Sequence, residues 1–232
     1  MGKYLLEGVK PLTDALSLKI PVEMILIREG SFFSPEQTEV PIVELDKKLF
    51  DAIADTEHTQ GVIAVVHKTQ YNRKSFLDLL TKNTKNVVIL DCLQDPGNMG
   101  TIIRTAEAAG YGGVLLMSGC TDVYAPKVVR AAAGSLFRIP ILQENNIAET
   151  VRELHDIKRS IVVSSLDAEQ YYQQTDLGEN IALVIGNEGR GVRQDFLDAA
   201  DIKVKIPMAG SIESLNAAVA AGILMYQSHN IK

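Results

Sequence analysis

The sequence predicts an α/β protein whose larger, C-terminal part is a parallel sheet covered by helices on both faces. From residue 86 onward, short apolar runs (VVIL, GVLLM, RIPIL, SIVVSS, IALVIG, IKVKIP) alternate with helical segments. The runs are continuous rather than alternating apolar with polar, as in strands buried on both faces. Regular strand–helix alternation gives parallel strands joined by crossover helices. In such sheets ligands bind beyond the carboxyl ends of the strands, so those loops are where chemistry is expected.

Residues 1–67 read as a smaller α/β unit. A helical pattern covers residues 8–18, strand-like runs cover 23–27 and 62–66, and Pro21, Pro35 and Pro41 punctuate the rest. Residues 68–85 are polar and rich in Lys and Asn around one amphipathic piece at 76–80, and read as the join. Residues 86–232 form the second unit.

Composition excludes several classes. At 46% hydrophobic, the 232 residues can bury a substantial core. No apolar stretch approaches the roughly 18 residues of a membrane span, and no basic segment followed by an apolar run suggests a secretory signal. Cys92 and Cys120 lack metal-type spacing and suit a reducing cytoplasm. His58, His67, His155 and His229 are scattered, so no metal is expected. A net charge of −6 argues against a nucleic-acid coat protein. It leaves room for a local positive face, for which Lys127, Arg130 and Arg138, with no acid between residues 127 and 138, are the best candidate, although three charges on twelve residues are more often an ordinary solvated helix.

Three strand ends carry unusual chemistry. After VVIL comes Asp95-Pro96-Gly97-Asn98, a sharp turn in which Asn98 can cap the following helix. Gly100 admits a close backbone or ligand. Arg104 lies among small and apolar residues, so it is expected to be partly buried and to need an anion. After IALVI comes Gly186-Asn187-Glu188-Gly189-Arg190-Gly191, whose order is GxxGxG rather than the GxGxxG of dinucleotide sites. Glu188 at this edge calls for a partner such as Arg104. After IKVK, a loop leads to Ser214-Leu215-Asn216, where Ser214 and Asn216 can cap a helix or bond a ligand. That helix is apolar all round, which predicts burial on all sides, in the core or at a subunit interface.

In this order, "DPGNMGTIIRTAEAAG", "LVIGNEGRGV" and "IPMAGSIESLNAAVAAGI" resemble the three motifs of the SpoU (TrmH-like) family of RNA ribose 2′-O-methyltransferases, in the SPOUT superfamily. The resemblance spans about residues 86–232. "YLLEGVKPLTDAL" and "TQGVIAVV" are similar to the small L30e-like substrate-binding domain that precedes many of these enzymes. The resemblance implies a trefoil-knotted methyltransferase domain, S-adenosylmethionine as cofactor, and a homodimer with the site at or near its interface. Asn98, Arg104, Glu188, Ser214 and Asn216 fall on the family's polar positions and become the candidate catalytic set. Ser164, Ser165, Leu166, Gly186, Asn187, Ile206, Met208, Leu215 and Asn216 become the candidate cofactor site. The partner implied is RNA, with ribosomal RNA favoured over tRNA by the extra small domain. Ala218 departs from the serine often found in the third motif, which removes one polar contact.

Methyl transfer to a ribose hydroxyl needs in-line alignment and help for a poorly acidic alcohol. Arg104 either acts as base or holds an RNA phosphate and the forming alkoxide; the second is easier for a guanidinium. Two other classes compete with this reading. An oxidoreductase is disfavoured by the missing GxGxxG, and a catalytically idle RNA-binding module by the intact polar set.

Overall fold

Residues 3–67 build a four-stranded mixed sheet in the computed structural model, which describes residues 2–31, 33, 38–69 and 71–228. Pro35 and His229, named above, lie outside them. Strands β1 (Lys3–Glu7), β2 (Val22–Arg28), β3 (Ile42–Leu45) and β4 (Val62–His67) stand in the order β1-β4-β2-β3. β4 runs antiparallel to β1 and β2, and β3 is parallel to β2. Helix α1 (Val9–Ser17) buries Leu12 and Ala15, three residues apart on one face. Helix α2 (Lys47–Ile53) is capped by Asp46, which accepts from the Leu49 N–H.

The join carries structure of its own. Helix α3 (Arg73–Thr81) opens at Asn72, whose side chain accepts from the Ser75 N–H at 2.8 Å. Its Phe76 and Leu80 are fully buried with residues of the large sheet. The α3 end is tied down by Arg159, a nearly fully buried guanidinium that donates to the carbonyls of Leu80, Asn83 and Lys85. One acceptor in the last turn of the helix and two just beyond it suit a cation, because carbonyls at a helix C-terminus lack intrahelical partners and that end is negative.

The large sheet has seven parallel strands in the order β7-β6-β5-β10-β8-β11-β9. They are β5 (Val87–Leu90), β6 (Gly113–Met117), β7 (Ile141–Glu144), β8 (Ser160–Ser164), β9 (Gln170–Tyr171), β10 (Ile181–Ile185) and β11 (Ile202–Lys205). The pleat divides β5 between two cores. Val88 and Leu90 face α4 (Pro96–Ala108), α5 (Pro126–Ala132) and α8 (Ala217–Gln227); Val87 and Ile89 face α3, α6 (Ile147–Asp156) and α7 (Gln194–Asp198). The four side chains are fully buried, each worth about 1.5–3 kcal/mol relative to exposure. The first core runs on into the small sheet through Tyr4, Leu6 and Leu12. Across that junction Arg130 pairs with Asp55, and Tyr4 packs on Tyr124 with ring centres 4.8 Å apart.

Two expectations are corrected here. Lys127, Arg130 and Arg138 do not form a free positive face: they lie near or pair with Asp95, Asp55 and Glu107, acids distant in sequence. Helix α8 is not buried on all sides in the single chain. Ala218, Ala221, Leu224 and Met225 are buried, while Val219 is 51% and Tyr226 53% exposed.

Candidate functional site

The site forms at the carboxyl ends of four neighbouring strands, β5, β10, β8 and β11. Helix α4 starts from the β5 end. Asp95 caps it, accepting from the Asn98 N–H at 2.7 Å, with Pro96 at the first helical position. Asn98 is therefore not the cap, as the sequence suggested. Placed one turn inside and 9% exposed, its side chain is free for other partners. Gly100 lets α4 close on α5: a Cβ there would lie 2.5 Å from the Ala131 Cβ and 2.7 Å from the Val128 carbonyl oxygen.

The loop after β10 crosses its own backbone. Asn187 and Gly191 exchange two main-chain hydrogen bonds of 2.9 Å, and Gly191 has φ +71°. A Cβ at Gly186 would lie 2.3 Å from the Gly191 carbonyl carbon and 2.4 Å from the Val192 nitrogen, so a side chain there is excluded. Asn187 fixes the loop from within. Its Oδ1 accepts from the N–H groups of Gly189 and Arg190 at 3.0 Å, and its Nδ2 donates to the Cys92 carbonyl at 2.9 Å. Asp91, fully buried at the end of β5, binds Arg193 on the far side of the same loop. Only the carboxylate is buried, the Arg193 side chain being 35% exposed, so removing Arg193 would leave an uncompensated buried charge.

A polar chain ties the three motifs together. Glu188 accepts from the N–H groups of Gln94 (3.2 Å) and Asp95 (3.1 Å) and from Asn98 Nδ2 (3.1 Å). Asn98 Oδ1 accepts from Asn216 Nδ2 at 2.8 Å. Asn216 Oδ1 in turn caps α8 through the N–H groups of Ala218 and Val219. Partial burial would push the Glu188 carboxyl up, but the hydrogen bonds from Asn98, Asp95 and Gln94 outweigh it and hold the group below the usual carboxylate range.

Beside this chain lies a pocket of about 400 Å³. The loops after β8, β10 and β11 line it, with Ala217 and Ala220 of α8 as its floor. Ser164, Ser165, Leu166, Gly186, Asn187, Ile206, Met208 and Leu215 all line it, as do Glu188 and Ser214. Asn216 stands behind the wall, bonded to Asn98. Ser214 is exposed and makes no capping bond among the described residues; the side chain of Asn216 caps α8. A wider, more open cleft of about 830 Å³ lies between α6 and α7, and none of the expected site residues lines it. Both thiols are free, and burial pushes Cys120 up to about 11, so neither is placed as a nucleophile.

Arg104 departs from expectation. It is exposed, it lines no part of the pocket, and among the described residues no anion pairs with it. Glu188 is satisfied without it. The reason is helical geometry. The preceding Ile102 and Ile103 point into the core, whereas Arg104 shares its face with exposed Thr101 and Ala108, and Glu107, three positions on, is taken by Arg138. Asp91, Arg193 and the role of Asp95 were missed. The first two are 102 residues apart and leave no local signal, but Asp before Pro before a helix is a readable start.

Known proteins resemble this chain in sequence and fold. The SpoU rRNA Methylase family matches residues 85–226, and the MRM3-like substrate binding domain matches residues 1–64. The chain is 34% identical over 224 residues to the 23S rRNA (guanosine(2553)-2′-O)-methyltransferase RlmP of Bacillus subtilis, covering 96% of this chain and 87% of that protein. It superposes on an AdoMet-bound rRNA methyltransferase from Sinorhizobium meliloti with TM-score 0.85 at 29% identity, over 97% of this chain and 86% of the other. The TrmH/SpoU tRNA modifying enzyme of A. aeolicus matches with TM-score 0.56 at 28% identity, over 66% of this chain and 79% of the other.

Proposed function

Since the chain belongs to the SpoU rRNA Methylase family, we propose that it transfers a methyl group from S-adenosylmethionine to a ribose 2′-hydroxyl of 23S ribosomal RNA. The observation that carries this is the pocket at the carboxyl ends of β8, β10 and β11, lined by eight of the nine expected cofactor residues, with the ninth, Asn216, bonded to Asn98 at its back.

The residues fit the cofactor. The pocket size is ordinary for a small-molecule site. Leu166, Ile206, Met208 and Leu215 offer apolar walls for a base ring, and Asp167, Glu188 and Glu213 supply negative charge for a cationic ligand. Bound there, S-adenosylmethionine supplies an electrophilic methyl on a sulfonium. The chain supplies alignment: Glu188 holds the N–H groups at the start of α4, and Asn98 is held between Glu188 and Asn216 so that the target oxygen meets a fixed amide.

Arg104 is assigned to an RNA phosphate and to the developing charge on the ribose oxygen, since a guanidinium keeps its proton in proteins. Its exposure on α4, packed beside α8 with its exposed Val219, supports a homodimer in which Arg104 serves the pocket of the partner. The return of residues 206–216 past the 186–192 loop, with α8 against both α4 and β10, supports a trefoil knot. The mixed sheet with α1 and α2 is read as the L30e-like substrate-binding domain, with residues 68–85 leading from it to the methyltransferase domain. Its presence favours the ribosomal target, because the tRNA-modifying relative matches only 66% of this chain, against 97% for the rRNA methyltransferase. Cytoplasmic location follows from that target.

Incubation with methyl-tritiated S-adenosylmethionine and either a 23S rRNA transcript or a tRNA pool, followed by nucleoside mass spectrometry, tests the reading. A 2′-O-methylnucleoside from the 23S transcript is expected, and Arg104→Ala is expected to abolish it while keeping cofactor affinity. Label in tRNA alone, a methylated base, or no label in either RNA contradicts the proposal.

A further inference from the structure

The chain has nine arginines. Six lie against carboxylates and Arg159 is held by main-chain carbonyls. Only the guanidinium groups of Arg104 and Arg190 make no hydrogen bond and no ion pair among the described residues. Arg104 has a place in the reaction proposed above; Arg190 has none yet.

Arg190 lies on the Glu188 loop and lines the pocket as an exposed residue. Its own N–H donates to Asn187 Oδ1 at 3.0 Å, and the paired Asn187 and Gly191 backbones hold the loop on either side. The direction in which the side chain leaves is therefore fixed. Around it the pocket lining carries Asp167, Glu188 and Glu213, and Arg190 is the single basic side chain among the described lining residues. Three carboxylates suit a cationic cofactor but repel a polyanion, and the chain as a whole carries −6. Among the described lining residues of one chain, a phosphate brought to this rim meets a single cation, Arg190.

We infer that Arg190 is a substrate-positioning residue that holds a phosphate of the RNA strand beside the nucleotide to be methylated. The inference rests on the methyltransferase reading. A guanidinium is suited to the task by its planar array of donors. Losing one such contact weakens RNA binding without touching the cofactor or the reacting atoms.

The test compares wild type, Arg190→Gln and Arg190→Lys with a 23S rRNA transcript and S-adenosylmethionine. For Arg190→Gln the KM for RNA is expected to rise about tenfold with kcat within about twofold. The slope of log KM against log salt is expected to fall by about 0.7 to 0.9, one phosphate contact. The cofactor Kd by calorimetry stays unchanged, which also shows the variant is folded, and Arg190→Lys recovers most of the KM. A weakened cofactor Kd with unchanged KM for RNA would assign Arg190 to the cofactor carboxylate and overturn the inference. So would an Arg190→Gln enzyme indistinguishable from wild type. A wild-type chain that labels no RNA would instead overturn the methyltransferase reading beneath it.

Discussion

Asn216 joins the pocket wall to the C-terminal helix, and replacing it separates two roles. Its Oδ1 caps α8 at the Ala218 (2.9 Å) and Val219 (3.3 Å) N–H groups, and its Nδ2 donates to Asn98 Oδ1 at 2.8 Å. Asn216→Ala removes both. The cap is worth about 1 kcal/mol. The bond to Asn98 adds about 0.5 kcal/mol, the low end for a hydrogen bond, because Asn216 is exposed and water replaces part of it. A total of about 1.5 kcal/mol lowers the thermal midpoint of a chain this long by about 3–6 °C. Asn216→Ser keeps a capping oxygen but is too short to reach Asn98, so it recovers about 1 kcal/mol. Both variants release Asn98, so both lose on the order of tenfold or more in methyl transfer. Urea unfolding, thermal melting and single-turnover methylation read the three effects. Equal destabilisation by Ser and Ala, or wild-type transfer rates in both, would refute the reasoning.

Other outcomes follow from the same geometry. The Glu188 carboxyl is lower in the folded chain than its ordinary value of 4.5, so its stabilisation is present above that value and is lost as pH falls through the folded one. The stability gap between wild type and Glu188→Gln is therefore flat at neutral pH and narrows below about pH 4.5 in urea titrations; a gap that widens in acid contradicts this. Gly186→Ala drives a methyl to within 2.3 Å of the Gly191 backbone, so about 1–3 kcal/mol of stability and most cofactor binding are expected to go, as calorimetry would show. Val219→Arg, on the exposed face of α8, is expected to turn a dimer into a monomer by light scattering and to abolish activity; an unchanged mass would remove α8 from the interface.

The sequence carried the large sheet well. Continuous runs such as VVIL and IALVI became central strands because nothing but two-sided burial suits them. The loops carrying Gly186 and Asn216 could be found because glycines in quick succession and a polar residue before an apolar helix have few other uses. What failed was any inference from neighbours in sequence to neighbours in space. Arg104 looked buried because Ile102 and Ile103 flank it, yet the helix turns them away from it. Lys127, Arg130 and Arg138 looked like a free basic face because their acids lie elsewhere in the chain. β9 is two residues long and β3 (Ile42–Leu45) is mostly exposed, so neither leaves a buried apolar run to read. The anchoring of Arg159 on carbonyls and of Asp91 on Arg193 depends on packing alone. Helix α8 is apolar all round as its sequence reads, but Val219 and Tyr226 are exposed, so composition alone did not reveal which of its faces the chain buries.

A crystal structure grown with S-adenosylmethionine tests the central claim most directly. The donor is expected within the 400 Å³ pocket, its base against Ile206, Met208 and Leu215 and its backbone partners in the 186–191 loop. Donor density in the wider cleft beside Asn146 and Asp198, with that pocket unfilled, would contradict it.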